Sequence, residues 1–157
     1  MKVTYDKDAD AAYVYLDPLE PFSSFMYPFD GVKKDAMVNL DFDQNGRLIG
    51  VEVIDARRLL ASELLDQDTD IGRVVYDPEA DAAYISLVTH TLPRGASSAI
   101  STYPCDPAEV GAIINLNFDT EGRLIGIEAL DARRKLPEVL LKTAIHPGVQ
   151  PSAAPRG

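Results

Sequence analysis

Hydrophobic and polar positions alternate along most of this chain in short runs with the two-residue period of β-strands. Val38, Leu40 and Phe42 fall on one side of such a run, with Asn39 and Asp41 on the other. The run leads into Asp43-Gln44-Asn45-Gly46, whose Asn-Gly suits a backbone with positive φ, and then into Leu48 to Ile54, so the whole reads as a hairpin. Lys2 to Tyr5 and Ala11 to Leu16 predict an earlier pair of strands, joined by turn chemistry from Asp6 to Asp10. After Ile54, Asp-Ala-Arg-Arg precedes a leucine-rich stretch, Leu59 to Leu65, which predicts one short amphipathic helix.

The same pattern is written twice. Tyr5-Asp6-Lys7-Asp8-Ala9-Asp10-Ala11-Ala12-Tyr13-Val14-Tyr15-Leu16 returns as Tyr76-Asp77-Pro78-Glu79-Ala80-Asp81-Ala82-Ala83-Tyr84-Ile85-Ser86-Leu87, with eight of twelve positions identical. The hairpin from Asn39 and its Asp55-Ala56-Arg57-Arg58 return from Asn115 to Asp131-Ala132-Arg133-Arg134. Leu136 to Leu141 then predicts the second helix, with Pro137 suited to its first position. The middles, from Asp17 to Val38 and from Val88 to Ile114, share little and read as variable loops holding one irregular strand each. The expected fold is therefore α+β: two repeats of an antiparallel ββ(loop)ββα unit, at 1–70 and 71–145, followed by a disordered tail from 146 to 157. A unit of this size buries a low fraction of its surface and is marginal alone. The two repeats are expected to share a core as an intramolecular pseudo-dimer, in a chain that is a monomer with an internal two-fold or a homodimer.

The motif Tyr-Asp-x-x-Ala-Asp-Ala-x-Tyr, followed after a gap by Asp-x-x-Gly-Arg-Leu-x-Gly and then Glu and Asp-Ala, resembles a small bacterial and archaeal family, domain of unknown function 2283. The likeness covers roughly residues 2 to 60 and 73 to 136, so this chain would be a tandem member of a family whose usual form is a single unit. Some members neighbour small toxin-like genes. The resemblance thus implies an antitoxin-like role and brings no catalytic residues with it.

Composition narrows the classes. The 157 residues carry 25 acidic and 15 basic side chains, a formal charge of −10, which opposes nucleic-acid binding because phosphate contacts need clustered Lys and Arg. No apolar run approaches the roughly 18 residues that span a bilayer, and the acidic N-terminus is unlike a signal peptide, so a cytoplasmic, non-membrane protein is expected. Residues 1 to 70 hold seven basic and fifteen acidic groups (−8) and the remainder eight and ten (−2), which makes the first repeat the natural face for a small basic protein partner. The leading expectation is a non-enzymatic binding or regulatory module.

Three constellations carry candidate chemistry. Strand parity places Tyr13, Asn39 and Glu52 on one face, and their counterparts Tyr84, Asn115 and Glu128 on another. A carboxylate beside a phenol and an amide can bind a polar ligand or serve as a general base, the alternative being a small-ligand protein or hydrolase-like enzyme. Arg57 and Arg133 could capture a carboxylate or phosphate, or pair with Glu52, Asp55 and their counterparts. Asp6, Asp8 and Asp10 have the alternation of a calcium loop, although Ala11 stands where such a loop needs glycine and a strand follows where it needs a helix. No nucleotide, zinc or nucleophile-elbow motif is present, so no cofactor and no catalytic residue is assigned. His90, His146 and Cys105 have no counterparts in the other repeat.

Overall fold

The computed structural model describes residues 1–31, 36–66, 73–88 and 101–147. The first repeat contains β1 (Lys2–Asp6), β2 (Ala11–Tyr15), β3 (Phe25–Phe29), β4 (Met37–Phe42), β5 (Leu48–Ile54), α1 (Ala56–Leu59) and α2 (Ser62–Leu65). The second contains β6 (Arg73–Asp77), β7 (Ala82–Ser86), β8 (Ser101–Pro104), α3 (Pro107–Val110), β9 (Ile114–Phe118), β10 (Leu124–Leu130), α4 (Ala132–Lys135) and α5 (Glu138–Lys142). Each repeat forms a five-stranded antiparallel sheet of one topology, β1-β2-β5-β4-β3 and β6-β7-β10-β9-β8. The fold is α+β, with two repeated halves.

Period-two alternation decides what each sheet buries. Val14, Leu40, Val51 and Val53 of the first sheet, and Ile85, Leu116, Ile127 and Ala129 of the second, have no exposed surface. All belong to one continuous hydrophobic cluster together with Leu60, Leu64, Leu136 and Leu140 from the helical segments. The halves therefore share a core, and they meet through side chains of both: Phe29 stacks on Phe118 at 5.9 Å, and the Asp106 amide donates to the Tyr27 hydroxyl at 3.0 Å.

Several expectations change in the folded chain. One helix per repeat becomes two short ones, because Leu60 and Leu136, both fully buried, take extended backbone between them. Burying those leucines outweighs helix continuity. Pro137 precedes α5 in an extended conformation instead of starting it. The hairpin turns place only the glycines, Gly46 (φ 76) and Gly122 (φ 79), at positive φ, so Asn45 is not needed there and both copies use one turn. In each, the first aspartate closes the loop: Asp43 Oδ1 accepts the Asn45 and Arg47 amides at 2.8 and 2.9 Å, and Asp119 does the same for Glu121 and Arg123. A register shift beside each turn seats Leu48 in the core cluster with Phe42, while Ile49 lies outside that cluster.

The irregular strands exist as β3 and β8, each on a sheet edge. Register makes Tyr27-Pro28 equivalent to Tyr103-Pro104, since the tyrosines face Leu40 and Leu116 and the prolines Asn39 and Asn115. The middles thus share a dipeptide that their surroundings hide, and proline is tolerated there because an edge strand has one side without a ladder. Helix α3 stands where the pattern predicts only loop and strand: Asp106 caps it by accepting the Ala108 amide, Pro107 occupies its first turn and Gly111 ends it at φ 74. His146, expected to open a loose tail, packs instead: its Nδ1 lies 3.2 Å from the Tyr76 carbonyl, and Ile145 bridges to Val75 on the edge of β6. The rest of the expected tail from 148 onward, and the junction at 67–72, lie outside the described residues.

Candidate functional site

The outward face of each sheet is where parity placed the repeated polar side chains. Glu52 is flanked in register by Tyr13 on β2 and Asn39 on β4, so the three stand in one row across the first sheet. Asn39 Nδ2 donates to Glu52 Oε2 at 2.9 Å, and Asn115 Nδ2 donates to Glu128 Oε2 at 3.0 Å in the equivalent row. Asn39 itself is buried, on the β4 side of Glu52.

Tyr13 bypasses Glu52. Its ring lies over Gly50, the one residue type that leaves room for it, and its hydroxyl donates to Asp41 Oδ2 at 2.7 Å. Asp41 accepts a further bond from Ser23 Oγ at 3.2 Å. Burial first, then the bond to Asp41, pushes the Tyr13 phenol well above the usual range, so it holds its proton. Tyr15 packs beside Tyr13 with ring centroids 4.5 Å apart. In the second sheet Tyr84 lies over Gly126 in the same way, but Asn117 replaces Asp41 and accepts from Thr102 at 2.8 Å. The Tyr84 hydroxyl has no hydrogen-bond partner among the described residues.

Arg57 and Arg133 do not join these rows. Each closes a second repeated constellation that the sequence reading missed. Asp10 adopts φ 49 at the end of the β1–β2 turn, and its Oδ1 accepts the Tyr5 hydroxyl at 3.0 Å and the Arg57 amide at 3.1 Å, with Arg57 Nε at 3.3 Å. Asp81 gathers Tyr76 and Arg133 at 3.1, 3.0 and 3.3 Å. The carbonyls of Asp10 and Asp81 also accept the Ala56 and Ala132 amides, tying the first turn of each repeat to its helical segment. Partial burial works against the ionised Asp10 and Asp81, yet these amide, phenol and guanidinium donors hold both carboxyls below their usual value. Arg58 and Arg134 pair with Asp55 and Asp131 at 2.6 and 2.5 Å. The signal in the sequence was available: tyrosine, aspartate and arginine recur together in both copies.

This arrangement also parts the expected calcium ligands. Asp6 Oδ1 accepts the Asp8 and Ala9 amides and so caps its own turn, while Asp10 turns to Arg57. Among the described residues no three His, Cys, Asp or Glu side chains form a group that could hold a metal ion. Cys105 is buried, and burial pushes its thiol up to about 12, which leaves it protonated and inert. His90 lies outside the described residues.

A family description that reads protein of unknown function, DUF2283, matches residues 2–57 and again residues 73–133. The chain belongs to the DUF2283 family. It is a tandem DUF2283 chain, and the matched spans run from β1 to the start of α1 and from β6 to the start of α4. They therefore take in the Tyr-Asp-Arg brackets and the Asn-Glu rows of both halves. No curated protein and no solved structure matches the chain. Among the described residues no helix is long and apolar enough to cross a membrane.

Proposed function

We propose that this tandem DUF2283 chain is a non-enzymatic binding module that offers the outward face of its first sheet to a small basic protein, in the manner of an antitoxin. The observation that carries this reading is the make-up of that face. Met26 and Met37, each about half exposed, share it with Asp41, Glu52 and the paired rings of Tyr13 and Tyr15. Methionine adapts to a partner's shape, aromatic rings supply contact area at little entropic cost, and carboxylates steer a cationic partner. The charge of −8 in residues 1 to 70 supports the same partner sign. The polar groups of the face are already bonded to one another, which suits docking better than proton transfer.

The test is affinity capture from the source cells with the wild-type chain and with a Met26→Lys/Met37→Lys variant, analysed by native mass spectrometry. A stoichiometric basic polypeptide is expected on the wild type, lost from the variant and released at about 0.5 M salt, where screening is strong. A bare wild-type chain, or a partner indifferent to both lysines, overturns the proposal.

One observation favours a second reading, a small polar ligand on the second sheet: Tyr84, whose hydroxyl has no hydrogen-bond partner among the described residues, is the register partner of Glu128 in the Asn115–Glu128 pair. A ligand whose binding is lost in Glu128→Gln at unchanged melting temperature supports it, and unfolding of that variant shows the carboxylate to be structural.

A further inference from the structure

Each repeat sets the last residue of a short helix against the other repeat's hairpin turn, and the side chains around the two contacts differ. In the first repeat Leu59 of α1, 2% exposed, approaches the turn Asp119–Gly122 of the second. The equivalent residue of α4 is Lys135, only 5% exposed, which approaches the turn Asp43–Gly46 of the first. A leucine satisfies the fold at this position, so packing does not require the lysine. Both places hold a cavity, of about 340 Å³ beside Leu59 and about 330 Å³ beside Lys135. The cation beside Leu59 is Arg58, which is paired with Asp55 at 2.6 Å, whereas the other cavity holds the amine of Lys135.

That amine is under-used. Its Nζ donates to the Gly46 carbonyl at 3.0 Å and lies 5.7 Å from the centre of the Phe42 ring. A lysine ammonium has three donors. Among the described residues it has no other acceptor and no carboxylate within ion-pair distance. It is wedged against glycine backbone on two sides: a Cβ at Gly111 or Gly46 would stand 3.1 or 3.4 Å from Nζ, whereas one at Gly122 would meet nothing within 4 Å. Burial, reinforced by Arg134 and opposed by Asp131 and Asp43, disfavours its charged form while it is left this way. A buried cationic donor short of acceptors gains most from an anionic group brought to it.

The remaining lining limits that anion. Phe25 and Phe42 provide an aromatic wall, and Ser24, Gln44 and Glu109 are exposed at the cavity's opening. Asp43 and Glu109 are themselves acidic, and repel a doubly charged ligand more strongly than a singly charged one. The volume lies at the small end of ligand sites. We propose that the cavity headed by Lys135, between the β4–β5 turn and helices α3 and α4, binds a small monocarboxylate whose apolar body lies against Phe25 and Phe42. The site is separate from the outward face of the first sheet and stands or falls independently of it.

Phenylacetate, acetate and inorganic phosphate are suitable probes, read by thermal shift and by the Nζ resonance of lysine-labelled full-length protein. Phenylacetate is expected to bind saturably with Kd under about 1 mM, to move the Lys135 resonance, and to bind more tightly than phosphate. Lys135→Leu, which installs the residue of the other repeat, is expected to weaken it at least tenfold while the ligand-free protein stays folded. Phe25→Ala, at a half-exposed position, should weaken phenylacetate and leave acetate unchanged. Binding unaffected by Lys135→Leu, phosphate binding as tightly as phenylacetate, or no saturation by any probe overturns the proposal.

Discussion

A Cβ at Gly50 or Gly126 would collide with the tyrosine ring laid across each glycine, Tyr13 or Tyr84. Gly50→Ala is therefore expected to cost about 1–3 kcal/mol through overpacking. Chemical denaturation should show most of that loss recovered in Gly50→Ala/Tyr13→Ala relative to Tyr13→Ala alone. Asp10 and Asp81 act through charge. Their carboxyls sit below the usual 3.8 in the folded chain, so the unfolded chain binds their protons first as pH falls. Their stabilisation is fully present above that usual value and is lost as pH drops through the folded value. Asp10→Asn should remove about 1 kcal/mol at neutral pH and flatten the acid limb of the melting-temperature profile. The tyrosine–glycine contact was not legible in the sequence, because it joins the middles of β2 and β5. The neighbouring Asn-Glu pair was, since alternation alone put both residues on one face.

At the scale of elements, strands were readable because their period survives any packing partner, whereas the helices were not. The leucines after Arg58 and Arg134 suggested continuous helices, and the requirement to bury Leu60 and Leu136 broke them. Helix α3 shows the opposite case, with local signals strong enough to form four helical residues inside a variable loop. Its cap is testable: Asp106→Ala is expected to lower stability by about 1 kcal/mol, and hydrogen exchange should quicken at Ala108 and Glu109 before the β9 amides.

For the whole molecule, the shared core predicts one cooperative unit. Leu40→Ala and Leu116→Ala, in different repeats, should each cost about 2–5 kcal/mol and lower a single calorimetric transition, not split it. A fragment of residues 1–66 alone is expected to lack cooperative melting and to regain it when mixed with residues 73–147. Lys135 sits in the seam between the halves, facing Asp43 from the β4–β5 turn and Arg134 and Asp131 from its own segment. Its amine lies below the usual 10.5 when folded, so between its folded value and 10.5 the unfolded chain holds the additional proton. Stability should rise with pH across that alkaline window. Lys135→Leu should remove this slope and raise the melting temperature, because a buried charge is exchanged for an apolar side chain.

Duplication, strand positions, turn glycines and the Asn-Glu rows were determined by the sequence alone, because each depends on residues close in the chain or on a period that two strands share. Tertiary structure decided the rest. Tyr13 reaches Asp41, not Glu52, because its ring, laid over Gly50, crosses β5 to the β4 residue paired with that glycine. Arg57 meets Asp10 because the β1–β2 turn and the end of β5 converge, 47 residues apart in the chain. Lys135 became a buried amine only because one half packs its α4 against the other half's hairpin, a contact whose separation of 89 residues no local pattern records.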